Sequence, residues 1–315
     1  MSQTAAVQSP TPADDAKVII DGLIAKARAA METFESADQE TVDEAVTALA
    51  WSIYKPERAR ELAETAVRDT GLGNVESKVI KNMRKTFGCL RDLMRVKSVG
   101  LIEELPEKGL FLYAKPVGVV AAVAPSTNPA ATPVNKAMMA VKGRNAVIVA
   151  PSPAGLSTTT QTVEYMRDEL RKVCAPEDLV QVLPAPVNKA LTQELMNQAD
   201  LVVVTGSQNN VRRAYSSGTP AIGVGAGNVP VIIDSTADLP DAAKKIMMSK
   251  CFDNATSCSS ENSVTILDDV YEDAIQALKE AGGYLVTAEE KQKILETLWV
   301  DGHLNRHVIA KDADV

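Results

Sequence analysis

The sequence predicts an α/β protein: a helical layer at the N-terminus, a doubly wound parallel sheet after it, and the opening part of a further α/β region. Three observations carry this. Apolar residues repeat at helical spacing through the first hundred positions. After Gly109, short β-rich runs alternate with helical runs for more than a hundred residues. From Ile232 a new set of strands and helices begins, built around Cys258.

Ile20, Leu23, Ile24, Ala27, Met31 and Phe34 form one apolar stripe of a first helix. Asp38 is placed to cap a second, which carries Val42, Ala45, Val46, Leu49 and Ala50. Pro56 suits the first turn of a third, where a missing N–H costs nothing, and Gly71 and Gly73 end it. A fourth helix is predicted over 75–96. Five β-rich runs follow at 117–123, 145–149, 179–183, 201–204 and 220–224, with helical stretches near 134–142, 156–173, 188–198 and 208–217 between them. Apolar runs without alternation fit strands buried on both faces, as in a parallel sheet. Their repetition with helices fits a doubly wound domain that binds ligands at the carboxyl ends of its strands. Asp238 and Pro240 then open a helix through Lys250; the Cys258 loop, a strand over 263–267 and helices near 271–281 and 287–299 complete the chain.

At 315 residues the chain is long enough for about two domains. Apolar content of 45% and charged content of 23% are those of an ordinary globular protein. A net charge of −8 argues against a nucleic-acid surface, and 4% aromatic residues leave little for base stacking. The four cysteines form no CxxC pair, so no metal site is expected. Residues 1–14 are polar, hold Pro10 and Pro12, and read as a disordered tail rather than a signal peptide. The longest apolar run, Val117 to Pro125, is too short to span a bilayer, and a cytoplasmic protein with free thiols and no membrane partner is expected.

The predicted strand ends carry the candidate site residues. The first runs into Ser126 and Asn128, the second into Ser152, the fourth into Thr205, Gly206 and Ser207, and the fifth into a glycine-rich stretch around Gly225. No GxGxxG fingerprint follows any of them, and Gly223-x-Gly225-x-Gly227 serves a turn as readily as a site. Asn128, ahead of Pro129, taken alone reads as a turn residue. Cys258 lies in a run of small polar residues. A nucleophilic thiol needs hydrogen-bond donors and access, which Ser257, Ser259 and Ser260 could supply. An isolated cysteine beside a strand fits equally a small buried hydrophobe.

The phrase Pro116-Val117-Gly118-Val119-Val120, the stretch Pro125-Ser126-Thr127-Asn128-Pro129 and the Cys258 loop together resemble the aldehyde dehydrogenase superfamily. The run from Tyr215 to Asn228 and Ser249-Lys250-Cys251-Phe252-Asp253-Asn254 are similar to its CoA-acylating branch, which includes the aldehyde dehydrogenase half of bifunctional aldehyde–alcohol dehydrogenases and the acylating sulfoacetaldehyde dehydrogenases. The resemblance covers roughly residues 15–310. It implies an aldehyde dehydrogenase-like fold, with Cys258 as the nucleophile that attacks the aldehyde carbon. It implies that Asn128, with the Cys258 backbone N–H, holds the developing oxyanion. It also implies NAD or NADP as cofactor, contacted by Ser126, Ser152, Thr205, Gly206, Ser207 and Gly225, and coenzyme A as co-substrate. A short aldehyde of the acetaldehyde or sulfoacetaldehyde type is the implied substrate, and a homo-oligomer the implied state of the full-length protein.

Departures from the hydrolytic members sharpen this expectation. Where those place a water-activating glutamate, this sequence has Val224, so a thiol is the expected acyl acceptor. Glu261, close to Cys258, is expected to be structural and to bond its own loop. Ala150 stands where many hydrolytic relatives carry a ribose-binding lysine. Arg212 and Arg213 could meet a cofactor phosphate but are read first as solvated helix residues. Complete members of the family run past Val315, so the resemblance implies a C-terminally truncated chain. The expected organisation is a tail over 1–14, the helical layer and dinucleotide-binding domain over 15–234, and an incomplete catalytic thiol domain over 235–315. Two alternatives are a hydrolytic aldehyde dehydrogenase giving the free acid and a non-catalytic nucleotide-binding fragment.

Overall fold

The computed structural model describes residues 12–225, 227–305 and 307–312, and the chain divides into two compact units. The first takes in residues 12–70 and 78–225; the second takes in Gly71–Ser77 and the chain from 227 onward.

The first unit opens with α1 (Pro12–Phe34), α2 (Gln39–Tyr54) and α3 (Pro56–Thr70) and continues with α4 (Val75–Leu93), whose first three residues count with the second unit. The tail expected over 1–14 lies outside the described residues as far as 11, and α1 already includes 12–14: a proline in the first turn gives up an N–H that would have had no helical partner. Asp38 caps α2 by accepting the Thr41 N–H at 2.9 Å. The fourth helix ends at Leu93, three residues short of the predicted end.

A hairpin follows, β1 (Gly100–Leu105) against β2 (Leu110–Ala114), which the sequence pattern did not predict. Most of its residues are exposed, so neither face imposes the apolar alternation by which a strand is recognised. The core sheet comes next: β3 (Val119–Val123), α5 (Ala131–Lys142), β4 (Ala146–Ala150), α6 (Leu156–Lys172), β5 (Val180–Val182), α7 (Lys189–Gln198), β6 (Leu201–Thr205), α8 (Gln208–Tyr215) and β7 (Ala221–Val224). Its five strands are parallel in the order β5-β4-β3-β6-β7. β3 and β4 are buried along their whole length, as their unbroken apolar runs predict. The chain winds from β3 outward to β5 and then returns to β6 on the other side of β3. Right-handed crossovers therefore put α5 and α6 on one face and α7 and α8 on the other. α2 packs over α5 and α6, and α1 over α7. The order reverses between β3 and β6, and a crevice at such a switch point is where a doubly wound sheet binds its ligand.

The second unit holds β8 (Pro230–Ile233), α9 (Leu239–Lys250), β9 (Ser263–Ile266), α10 (Tyr271–Glu280), α11 (Ala288–Leu298) and the short pair β10 (Trp299–Val300) and β11 (His303–Leu304). β8 and β9 pair in parallel, so the chain between them must cross back over. That connection consists of α9, capped by Asp238, and the loop bearing Cys258. Among the described residues no helix is long and apolar enough to cross a membrane.

Candidate active site

The sheet's carboxyl edge gathers seven of the eight predicted site residues. Ser126 and Asn128 lie in the turn after β3, and Ser152 follows β4. Thr205 ends β6, with Gly206 and Ser207 after it, and Gly225 follows β7. Gly206 has φ +137°, a backbone that side-chain-bearing residues rarely adopt, and a Cβ there would stand 3.5 Å from the Pro125 ring. The loops after β3 and β6 therefore pass close to each other across the switch point. Ser207 caps α8 by accepting the Asn210 N–H at 3.3 Å, and Ser152 accepts the Gly155 N–H at 3.2 Å. Each hydroxyl keeps its own O–H to donate, so capping leaves both free to contact a phosphate or ribose oxygen. Small residues, a close approach at Gly206 and the N-terminus of α8 thus meet at this edge.

Two lysines support this edge, and sequence reasoning missed both. Lys136, on α5 and 5% exposed, donates to the carbonyls of Val123 at 2.6 Å and Val203 at 2.9 Å, tying the end of β3 to the middle of β6. Burial draws its pKa down to about 7. The buried Lys78 donates to the Thr127 carbonyl at 3.1 Å and steadies the turn that presents Ser126 and Asn128. A lysine within a helix ordinarily reads as a solvated surface residue, so pattern alone gives no signal for either. The Asn128 amide is half-buried and has no hydrogen-bond partner among the described residues, which leaves it available to a ligand. Arg213 is not the solvated residue expected: it donates to the Gln193 side chain and the Lys189 carbonyl, binding α8 to α7. Its fork reaches acceptors one helix away, which a one-dimensional reading does not reveal. Val224 is 47% exposed.

Cys258 belongs to the second unit. It is exposed, as a nucleophile must be, rather than a buried hydrophobe. The serines around it do not serve as expected. Ser257 and Ser259 pair with each other at 3.0 Å, Ser260 is buried with an unpartnered hydroxyl oxygen, and among the described residues none reaches the thiol. Glu261 likewise departs from expectation. Its Oε2 is buried and, among the described residues, has no hydrogen-bond partner, while the adjacent Asn262 and Ser263 N–H groups donate to the Val229 carbonyl. The Cys258 backbone N–H has no acceptor among the described residues and is free to donate to an oxyanion. Gly227 passes close by: a Cβ there would lie 3.7 Å from the Cys258 carbonyl oxygen. Among the described residues no group of three or more histidine, cysteine or acidic side chains is arranged to hold a metal ion.

Just before the loop, Asp253, Asn254 and Ala255 all hold left-handed backbone, with φ of 53°, 52° and 59°. Such backbone costs roughly 1–2 kcal/mol per ordinary L-residue, less for Asp and Asn, whose side chains bond locally.

Residues 4–293 match the aldehyde dehydrogenase family. The chain belongs to that family. Its relatives include a sulfoacetaldehyde dehydrogenase (acylating) of Cupriavidus necator, 55% identical over 93% of this chain; the chain spans 59% of that protein's length. Among solved structures, an acetylating aldehyde dehydrogenase from Geobacillus thermoglucosidasius superposes with a TM-score of 0.89 at 35% identity, covering 97% of this chain and 68% of that one. A Rhodopseudomonas palustris propionaldehyde dehydrogenase, solved with bound CoA and an acylated cysteine, gives a TM-score of 0.81 at 25% identity, over 93% of this chain and 67% of that one. The doubly wound sheet and the β8–β9 unit are thus parts of an aldehyde dehydrogenase fold.

Proposed function

We propose that this chain carries the nucleophile and the cofactor crevice of a CoA-acylating aldehyde dehydrogenase that uses NAD or NADP. Its substrate is a short aldehyde of the acetaldehyde or sulfoacetaldehyde type. The observation that carries the reading is the exposed Cys258, whose backbone N–H is unengaged, in a chain whose relatives bear the acylating name. The Cys258 thiolate attacks the aldehyde carbon and forms a carbon–sulfur bond, and the carbonyl π electrons move onto oxygen. The Cys258 N–H and the Asn128 amide hold the oxyanion. Ser126, Ser152, Thr205, Gly206, Ser207 and Gly225 would hold a nicotinamide cofactor, which when bound would supply the hydride acceptor the adduct needs to become a thioester. The CoA thiolate then attacks the thioester carbon, and the Cys258 thiolate leaves. Val224 supports a thiol acceptor, since a valine cannot activate water.

Replacing the nucleophile tests this directly. In full-length enzyme, Cys258→Ala should abolish aldehyde-dependent NAD(P)H formation while cofactor affinity, followed by fluorescence titration, stays within twofold. Cys251→Ala should keep most of the activity. Activity that survives Cys258→Ala but not Cys251→Ala would overturn the assignment.

A further inference from the structure

The left-handed run at 253–255 is held by a network of hydrogen bonds to other residues of the second unit. The Asp253 side chain is fully buried. Its Oδ1 accepts the Asn74 N–H at 2.9 Å, and its Oδ2 accepts the Thr256 hydroxyl at 2.5 Å. The Asp253 N–H donates to the Ser77 hydroxyl at 3.2 Å. The Asn254 amide accepts from the Asn74 side chain and donates to the Ala310 carbonyl, each at 3.3 Å. Gly73 lies against the carboxylate: a Cβ at Gly73 would fall 1.9 Å from Asp253 Oδ1, and its φ of +69° also calls for glycine. From here to Asn262, where the Val229 carbonyl takes over, the loop's bonds include short-range ones: Thr256 N–H to the Asp253 carbonyl at 3.1 Å, Ser260 N–H to the Ser257 carbonyl at 3.2 Å, and the Ser257–Ser259 hydroxyl pair at 3.0 Å.

We propose that Asp253 is a positioning residue for the Cys258 loop: its buried carboxylate, seated on the Gly73–Asn74 backbone, locks the left-handed turn from which residues 256–260 project. Asp, Asn and Ala are not residues that choose three successive left-handed conformations unaided, so the surrounding bonds must impose them. A turn imposed this way fixes the direction in which the chain leaves Thr256 and hence where the Cys258 thiol and N–H point. The consequence for turnover rests on the reading of Cys258 as nucleophile; the consequence for loop order does not.

Hydrogen exchange read by mass spectrometry on the full chain separates the two. Asp253→Ala and Gly73→Ala, 180 positions apart, should each speed exchange of amides in 254–260 at least tenfold and leave β3 to β6 as protected as before. Asp253→Asn should restore protection, because its amide can still accept from Asn74 and meet the Thr256 hydroxyl. In full-length enzyme the two alanine variants should lose at least tenfold in kcat with the cofactor KM within twofold, and Asp253→Asn should recover much of the loss. Unchanged exchange in 254–260 overturns the proposal. So does protection lost throughout the chain in both alanine variants, which would mark a plain folding role. If Cys258→Ser stays active, the nucleophile reading falls, and the exchange data still decide whether Asp253 orders the loop.

Discussion

Lys136 joins two strands by a side chain that belongs to neither. Its Nζ takes up the carbonyls of Val123 and Val203, and a neutral amine can make both bonds, since it carries two N–H groups. That allows the folded protein to hold Lys136 with a pKa of about 7, while the unfolded chain keeps the proton up to 10.5. Between these values the unfolded state binds more protons, so the stability this group contributes rises with pH across that window. Lys136→Met should destabilise at neutral pH by about 1–3 kcal/mol, the cost of leaving buried acceptors unmade. The gap between wild type and variant should widen from pH 7 to pH 10 in urea titrations. A gap that stays flat with pH would mean that the lysine keeps its proton in the fold.

Glu169 performs a comparable task between helices. From α6 its Oε1 accepts Lys55 and Arg58, which flank the α2–α3 junction, and Lys172 of its own helix, each at 2.8 Å. Arg58 also lies 4.1 Å over the Tyr165 ring. Burial alone would raise the Glu169 carboxyl, but the hydrogen bonds and charges of Lys172 and Lys55 outweigh it and hold the pKa at about 2, against an ordinary 4.5. The depressed value means that its contribution, about 1–3 kcal/mol, is complete above pH 5 and is lost as pH falls toward 2. Glu169→Gln should cost about 2–4 kcal/mol at pH 7, because three cations are left facing a neutral amide. The difference should shrink between pH 5 and pH 3, as unfolding midpoints at each pH would show. Neither Glu169 nor Lys136 was legible in the sequence, since both read as solvated helix positions. The strands were legible where burial is two-sided: β3 and β4 write it into unbroken Val, Ile and Ala. The β1–β2 hairpin, exposed on most positions, writes nothing comparable.

At the scale of the molecule, the site residues that could be read were those whose place follows from chain order. Strand ends in a doubly wound sheet fall on one edge, so Ser126, Ser152 and Ser207 could be grouped without coordinates. The bond from Asn74 to Asp253 joins positions 179 apart and leaves no periodic trace. The proposed function also rests on the valine at 224, which the resemblance places where hydrolytic relatives carry a water-activating glutamate. Thioester hydrolysis needs a base to draw a proton from water, whereas CoA arrives with a thiol that ionises far more readily. A thioester on Cys258 should therefore persist until a thiol reaches it. In CoA-free buffer, full-length enzyme should release about one NAD(P)H per active site and stop, the burst expected when the second half of a covalent mechanism is blocked. Mass spectrometry should then find the acyl group on the peptide holding Cys258. Adding CoA should restart turnover and build up acyl-CoA in step with NAD(P)H. Glu261, whose buried Oε2 has no partner among the described residues, is a group in the Cys258 loop that could activate water instead. Steady turnover to free acid without CoA, removed by Glu261→Gln, would assign it that role and replace the acylating reading with a hydrolytic one.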